Sequence, residues 1–80
     1  MVYANFDSQE GTVSGTATVT LARKSRKLII TNDSGSNLQF KFSSGETFGT
    51  LKPSETFSAE VWTRTVYLSG NGDYRIWSIG

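Results

Sequence analysis

Few residues in this chain are of a type that does chemistry, and each has a competing structural use. The 80 residues include no histidine and no cysteine, so neither a Ser-His-Asp nor a Cys-His nucleophile system can be assembled from them. Ser25 lies beside Lys24 and Lys27. An exposed inter-strand loop, however, lacks the desolvation that turns a lysine into a base. Glu55 and Glu60 could supply two carboxylates for a glycosidic bond, but such a pair needs a cleft that keeps one carboxyl protonated. A domain of this size has little room for one. The expectation is that the chain has no catalytic residue and is not an enzyme.

Metal chemistry finds little more. Asn32-Asp33-Ser34-Gly35-Ser36-Asn37 is rich in oxygen but has one carboxylate, and Gly70-Asn71-Gly72-Asp73 also has one. Neither closes with the bidentate glutamate of a calcium loop, and the usual zinc ligands are missing. Both stretches read as turns in which Asn, Asp and Gly serve backbone conformation. No metal and no cofactor are expected.

Residues suited to contact remain. Arg23, Lys24, Arg26 and Lys27 hold four of the eight cations, and they suit an anionic surface or an acidic patch on a partner. With a net charge of +1 and no aromatic among the four, nucleic acid is disfavoured. Tyr3, Phe6, Trp62 and Trp77 are the aromatics placed to meet a partner, since Trp and Tyr are favoured in protein interfaces. These eight residues form the candidate interface. Flat aromatic rings on a β domain also suit pyranose rings, so a carbohydrate-binding or host-adhesion module is the alternative.

The elements that must position these groups are strands. Residues 1–15 are read as an irregular N-terminal arm, with Gly11 and Gly15 breaking whatever begins there. Residues 16–80 are read as one domain. Ala17, Val19 and Leu21 alternate with Thr16, Thr18 and Thr20. Leu28-Ile29-Ile30-Thr31 meets the 32–37 turn cluster, and Leu38, Phe40 and Phe42 then alternate with Gln39 and Lys41. That order predicts a β-hairpin with one apolar face. Gly49 marks a bulge or a close backbone approach within the strand 47–51, and Pro53 fits the first central position of a turn at 52–55. Phe57, Ala59 and Val61 alternate with Ser58, Glu60 and Trp62. Gly70-Asn71-Gly72-Asp73 predicts a tight hairpin turn between a strand 65–69 and a strand 74–79. In the latter Arg75, Trp77 and Ile79 oppose Tyr74, Ile76 and Ser78. The sum is an all-β chain, a small antiparallel β-sandwich or barrel of about seven short strands.

A chain of this length buries only about 60% of its unfolded surface, so its core is marginal. Disulfides and zinc are closed to it, which leaves association between copies as the compensating device. No apolar run approaches the roughly 18 residues of a membrane span, and no membrane partner is expected.

The segments Leu28-Ile29-Ile30-Thr31-Asn32-Asp33-Ser34-Gly35-Ser36-Asn37-Leu38, Leu51-Lys52-Pro53-Ser54-Glu55-Thr56-Phe57 and Tyr74-Arg75-Ile76-Trp77 resemble small all-β structural proteins of tailed-bacteriophage virions. The resemblance spans about two-thirds of the chain, and residues 1–25 depart from it. It implies a non-enzymatic part of the particle (capsid decoration, neck or tail) that is made in the host cytoplasm and ends in the virion. It also implies repeated contacts with copies of itself and with another virion protein.

Overall fold

The computed structural model describes residues 6–80. Among the described residues six strands form one antiparallel sheet: β1 (Phe6–Thr20), β2 (Lys27–Asn32), β3 (Leu38–Lys41), β4 (Gly49–Leu51), β5 (Thr56–Ala59) and β6 (Thr65–Ile79). The strand at the centre is β6. Along one edge it pairs with the whole of β1, from Phe6↔Ile79 to Thr20↔Thr65. Along the other edge its first part pairs with β3 and its second part with β2. Outside these, β4 adds to β3 and β5 to β2.

The long β1–β6 ribbon is bent double. Gly15 pairs with Gly70 and Val13 with Gly72, and these three glycines have φ of +89°, +140° and +131°, a region closed to ordinary L-residues. Beyond the bend the two arms face one another. The carboxylate of Asp7, near one end of β1, accepts a hydrogen bond from the amide of Ala22, just past the other end, at 2.9 Å. One layer therefore runs β5-β2-β6-β1 and the other β4-β3-β6-β1. Between them lie Val13, Leu28, Ile30 and Ile76 from the first layer and Val19, Leu51, Val66 and Leu68 from the second, all buried together with Leu21. The tilted rings of Phe40, Phe42 and Phe57, with centroids 4.8–5.9 Å apart, join β3 to β5 across the gap.

Several expectations from sequence are corrected. Residues 6–15 are not an irregular arm but the first ten residues of β1, so a boundary between 15 and 16 would cut a strand in two. Residues 1–5 lie outside the described residues. Gly11 and Gly15 do not interrupt the strand. Gly11 leaves space for the Tyr74 ring, whose hydroxyl would stand 2.8 Å from a Cβ there, and Gly15 supplies the bend. The expected hairpin at Gly70–Asp73 is a bend inside one continuous strand, because β1 runs beside it in unbroken register and holds the chain extended. Nor do β2 and β3 form a hairpin. They lie end to end along β6, with Asn32 opposite Tyr74 and Gln39 opposite Ser69, so residues 33–37 carry the chain from one layer to the other. Merging 65–69 with 74–79 explains why six strands stand where about seven were expected. The close approach at Gly49 is present: a Cβ there would stand 3.2 Å from the Phe40 ring. The turn at 52–55 is closed by Glu55 N–H donating to the Lys52 carbonyl at 3.0 Å, with Ser54 at φ +67° as in a type II turn.

The crossing at 33–37 is held by Asn32, which is fully buried. Its side-chain amide donates to the carbonyls of Ser36 (2.8 Å) and Leu51 (2.9 Å). Its side-chain oxygen accepts from the amide and hydroxyl of Ser34. One side chain thus shapes the crossing and ties β2 to β4 of the opposite layer.

Candidate functional site

Alternation along β6 continues through its bend, so Val66, Leu68, Tyr74, Ile76 and Ser78 turn inward while Arg75, Trp77 and Ile79 turn outward. Pairing then fixes their outward neighbours. Ile79 stands between Phe6 and Lys27, Trp77 between Ser8 and Ile29, and Arg75 between Glu10 and Thr31. The outer face of the first layer therefore carries an apolar group made of Phe6, Ile29, Trp77 and Ile79. Phe6 is 65% exposed and Trp77 37%.

A charged border adjoins it. Arg75 binds both carboxylate oxygens of Asp33, at 2.6 and 3.2 Å, and its guanidinium lies 5.6 Å from the Trp77 ring centre. The Asp33 hydrogen bonds and charge push the Arg75 guanidinium further up from its ordinary value, so it remains a cation. Thr12 donates to Asp73 at 2.6 Å beside this pair.

Where the two arms of the ribbon meet, a cleft of about 260 Å³ is lined by Phe6, Asp7, Arg23, Lys24, Ser78 and Gly80. The Ala22 amide, with help from Gln9, holds the Asp7 carboxyl below its ordinary value of 3.8. A depressed native value means that the Asp7–Ala22 clasp contributes fully above the unfolded value and is lost as pH falls through the native one. We expect the Asp7 carboxyl carbon to titrate below 3.8 by NMR, with the Ala22 amide shift following it. Asp7→Asn should abolish that amide titration. A midpoint at or above 3.8 would show that the clasp is not formed.

The eight candidate interface residues fall into distinct places. Phe6, Lys27 and Trp77 share the outer face. Arg23 and Lys24 border the cleft beside Phe6. Arg26 and Trp62 come together elsewhere, the guanidinium 5.5 Å from the ring centre, with Trp62 65% exposed. Tyr3 lies outside the described residues. Ser25 is not on an exposed surface as expected. It is buried, donates to the Val61 carbonyl and accepts from Thr63 N–H, so its hydroxyl bolts the 21–26 loop to the segment before β6. Glu55 is occupied too, its carboxylate accepting from Lys52 N–H at 2.7 Å. Among the described residues no three Asp or Glu side chains gather in a way that could hold a metal ion. The sequence put Arg75, Trp77 and Ile79 on one strand face, but Ile29 and Asp33 beside them were not foreseen. Their grouping depends on β2 and β1 flanking β6, which no local pattern announces.

No protein-family model matches the chain, and no curated protein sequence matches it significantly. Solved structures do resemble it. A cupin-2 domain protein from Shewanella frigidimarina superposes with a TM-score of 0.61 at 12% identity, over 94% of this chain and 71% of that one. A de novo designed double-stranded β-helix gives 0.54 at 12% identity, over 95% and 99%. A cupin domain from Bordetella pertussis gives 0.51 at 9% identity, over 98% and 94%. At such identities the likeness concerns the fold alone: the chain is an all-β, curled antiparallel sheet of the cupin-like, double-stranded β-helix type.

Proposed function

We propose that this chain is a non-enzymatic structural module that works through repeated protein–protein contacts, as a capsid-decoration, neck or tail component of a tailed-phage virion. The observation that carries the contact role is the outer face of the first layer, where Phe6, Ile29, Trp77 and Ile79 stand together at the surface. The space between the layers, by contrast, is filled with apolar side chains. An apolar centre bordered by Lys27, Arg75 and Asp33 has the anatomy of an interface, with an aromatic anchor inside a polar rim. The virion setting is supported by the sequence resemblance of residues 28–38, 51–57 and 74–77. The absence of histidine and cysteine, and the structural employment of Ser25 and Glu55, support a role without catalysis.

Light scattering over a concentration series tests the contact role. The parent chain should exceed its monomer mass of 8.8 kDa, and the double variant Phe6→Thr, Trp77→Thr should shift association to higher concentration while circular dichroism stays unchanged. Equal association of parent and double variant would remove the outer face from the account.

The Trp77 ring beside the Arg75–Asp33 pair also supports a second reading, carbohydrate binding, since a flat ring next to planar charged groups suits a sugar. Saturable quenching of tryptophan fluorescence by a saccharide, lost in Trp77→Thr, would favour it over architecture.

A further inference from the structure

The sheet has three edges among the described residues, and they differ in kind. The β4 edge is three residues long and is followed by Lys52-Pro53. The β5 edge is four residues long and is bracketed by Glu55 and Glu60. Shortness, charge and proline are the usual means of preventing a strand from recruiting another chain. The third edge belongs to β1. It is 15 residues long, Phe-Asp-Ser-Gln-Glu-Gly-Thr-Val-Ser-Gly-Thr-Ala-Thr-Val-Thr, without lysine, arginine or proline, and its unbroken register with β6 leaves no bulge.

Hydrogen-bond phase shows which backbone groups this edge offers. Leu21 N–H donates to the Arg64 carbonyl at 2.8 Å, continuing the β1–β6 ladder. In an antiparallel ladder every second residue makes such paired bonds. Odd-numbered residues of β1 therefore spend their N–H and C=O on β6, and Thr16, Thr18 and Thr20 direct theirs to the open edge. The side chains of these threonines are exposed and uncharged.

We propose that Thr16–Thr20 pairs antiparallel with the same segment of a second copy about a two-fold axis through Thr18. Thr16 then meets Thr20 of the other copy and Thr18 meets Thr18, which gives about six backbone hydrogen bonds and matched Thr–Thr contacts. A two-fold contact must be self-complementary, and a neutral threonine row is so. The first arm of β1 is not, because symmetric pairing there would gather the Asp7 and Glu10 carboxylates of both copies. The second layer would become continuous across the dimer. This pairing adds a defined partner to the contact role proposed above and leaves the Phe6–Trp77 face uncovered for other contacts.

The test uses the full chain in the Phe6→Thr, Trp77→Thr background, so that edge pairing is read apart from association through the outer face. With no native cysteine, Thr18→Cys introduces a single thiol. Paired Cα atoms of a hydrogen-bonded antiparallel site lie about 5.5 Å apart, within the roughly 4.4–6.8 Å that a disulfide spans. Thr18→Cys should give a disulfide-linked dimer about tenfold faster or more than Thr50→Cys, which places a thiol on the β4 edge. Thr18→Lys, exposed and harmless to one copy, should abolish the dimer by setting like charges opposite one another. Cross-linking at equal rates from positions 18 and 50, or a dimer indifferent to Thr18→Lys, overturns the edge proposal. If at the same time the parent still associates through the outer face, the structural role stands without it.

Discussion

Asn32→Ala should cost roughly 3–5 kcal/mol, a large share of the stability that a domain of this length can hold. The substitution removes the two donors that satisfy the Leu51 and Ser36 carbonyls and the acceptor that satisfies Ser34. The Asn32 side chain and its bond to the Leu51 carbonyl are buried, so water does not replace that partner without an opening of the fold, whereas the carbonyl of the exposed Ser36 keeps the Ser34 hydroxyl as a donor. Each stranded buried group costs about 1–3 kcal/mol. For a small domain each kcal/mol is worth about 4–8 °C in melting temperature, so calorimetry should show a loss well above about 10 °C. Asn32→Asp preserves the shape and the acceptor but sets a carboxylate against two carbonyl oxygens, and it should be no better tolerated. A melting temperature within a few degrees of the parent for either variant would mean that the 33–37 crossing is held by something else.

Gly72→Ala is the second large effect, about 2–5 kcal/mol. Two costs combine there. The φ of +131° is unfavourable for any L-residue, and a Cβ at this position would run into the Cβ of Ser34. Ser34 cannot swing aside cheaply, because its amide and hydroxyl are bound to Asn32 and the neighbouring Ser36 hydroxyl donates to the Asn71 carbonyl at 3.0 Å. Gly15 separates the two costs. Its φ is +89° but a Cβ there meets nothing within 4 Å, so Gly15→Ala should lose only the backbone part, about 1–2 kcal/mol. Gly70 falls between, with the movable Leu38 Cδ2 at 2.7 Å and the Asn37 carbonyl at 3.0 Å. Urea unfolding of the three alanine variants should rank them Gly72, Gly70, Gly15 in descending loss. Equal losses at 72 and 15 would refute the contact with Ser34. Because Asn32 and Gly72 act through the same crossing, the double variant should lose less than the sum of the singles.

The strands were legible where burial has a period of two. Ala17, Val19 and Leu21, then Leu38, Phe40 and Phe42 announced their inward faces, whereas the last strand, apolar on both faces, showed only that Tyr74, Ile76 and Ser78 share one of them. What alternation does not carry is the identity of the neighbour. Leu28–Thr31 followed by a cluster of turn formers and another strand suits a hairpin equally well as two strands laid end to end. The choice was made by β6, which lies far along the chain and binds both. The same long-range pairing kept Gly70–Asp73 extended against its local preference for a tight turn. It also recruited residues 6–15, whose own pattern is too weak to declare a strand. Of the candidate interface, Trp62 was foreseen at the surface from its polar neighbours, although it lies past the end of β5, whereas Trp77 was read as an interface aromatic in a strand with large apolar groups on both faces. Asn32 was read as a turn former only. Its place in the interior follows from the crossing between layers, which no spacing in the sequence encodes.

That the central strand comes last in the order of synthesis has a kinetic corollary. Until residues 65–79 leave the ribosome, β2 and β3 can pair only with β5 and β4, and β1 must wait for a partner almost the whole chain away, as Phe6 does for Ile79. Such non-local closure slows folding and prolongs the time during which unpaired apolar strands meet other chains. Joining the present ends and opening the chain at the exposed Ser44–Gly45 turn would place β6 ahead of β1 in sequence, shorten that wait, and leave every strand pairing unchanged.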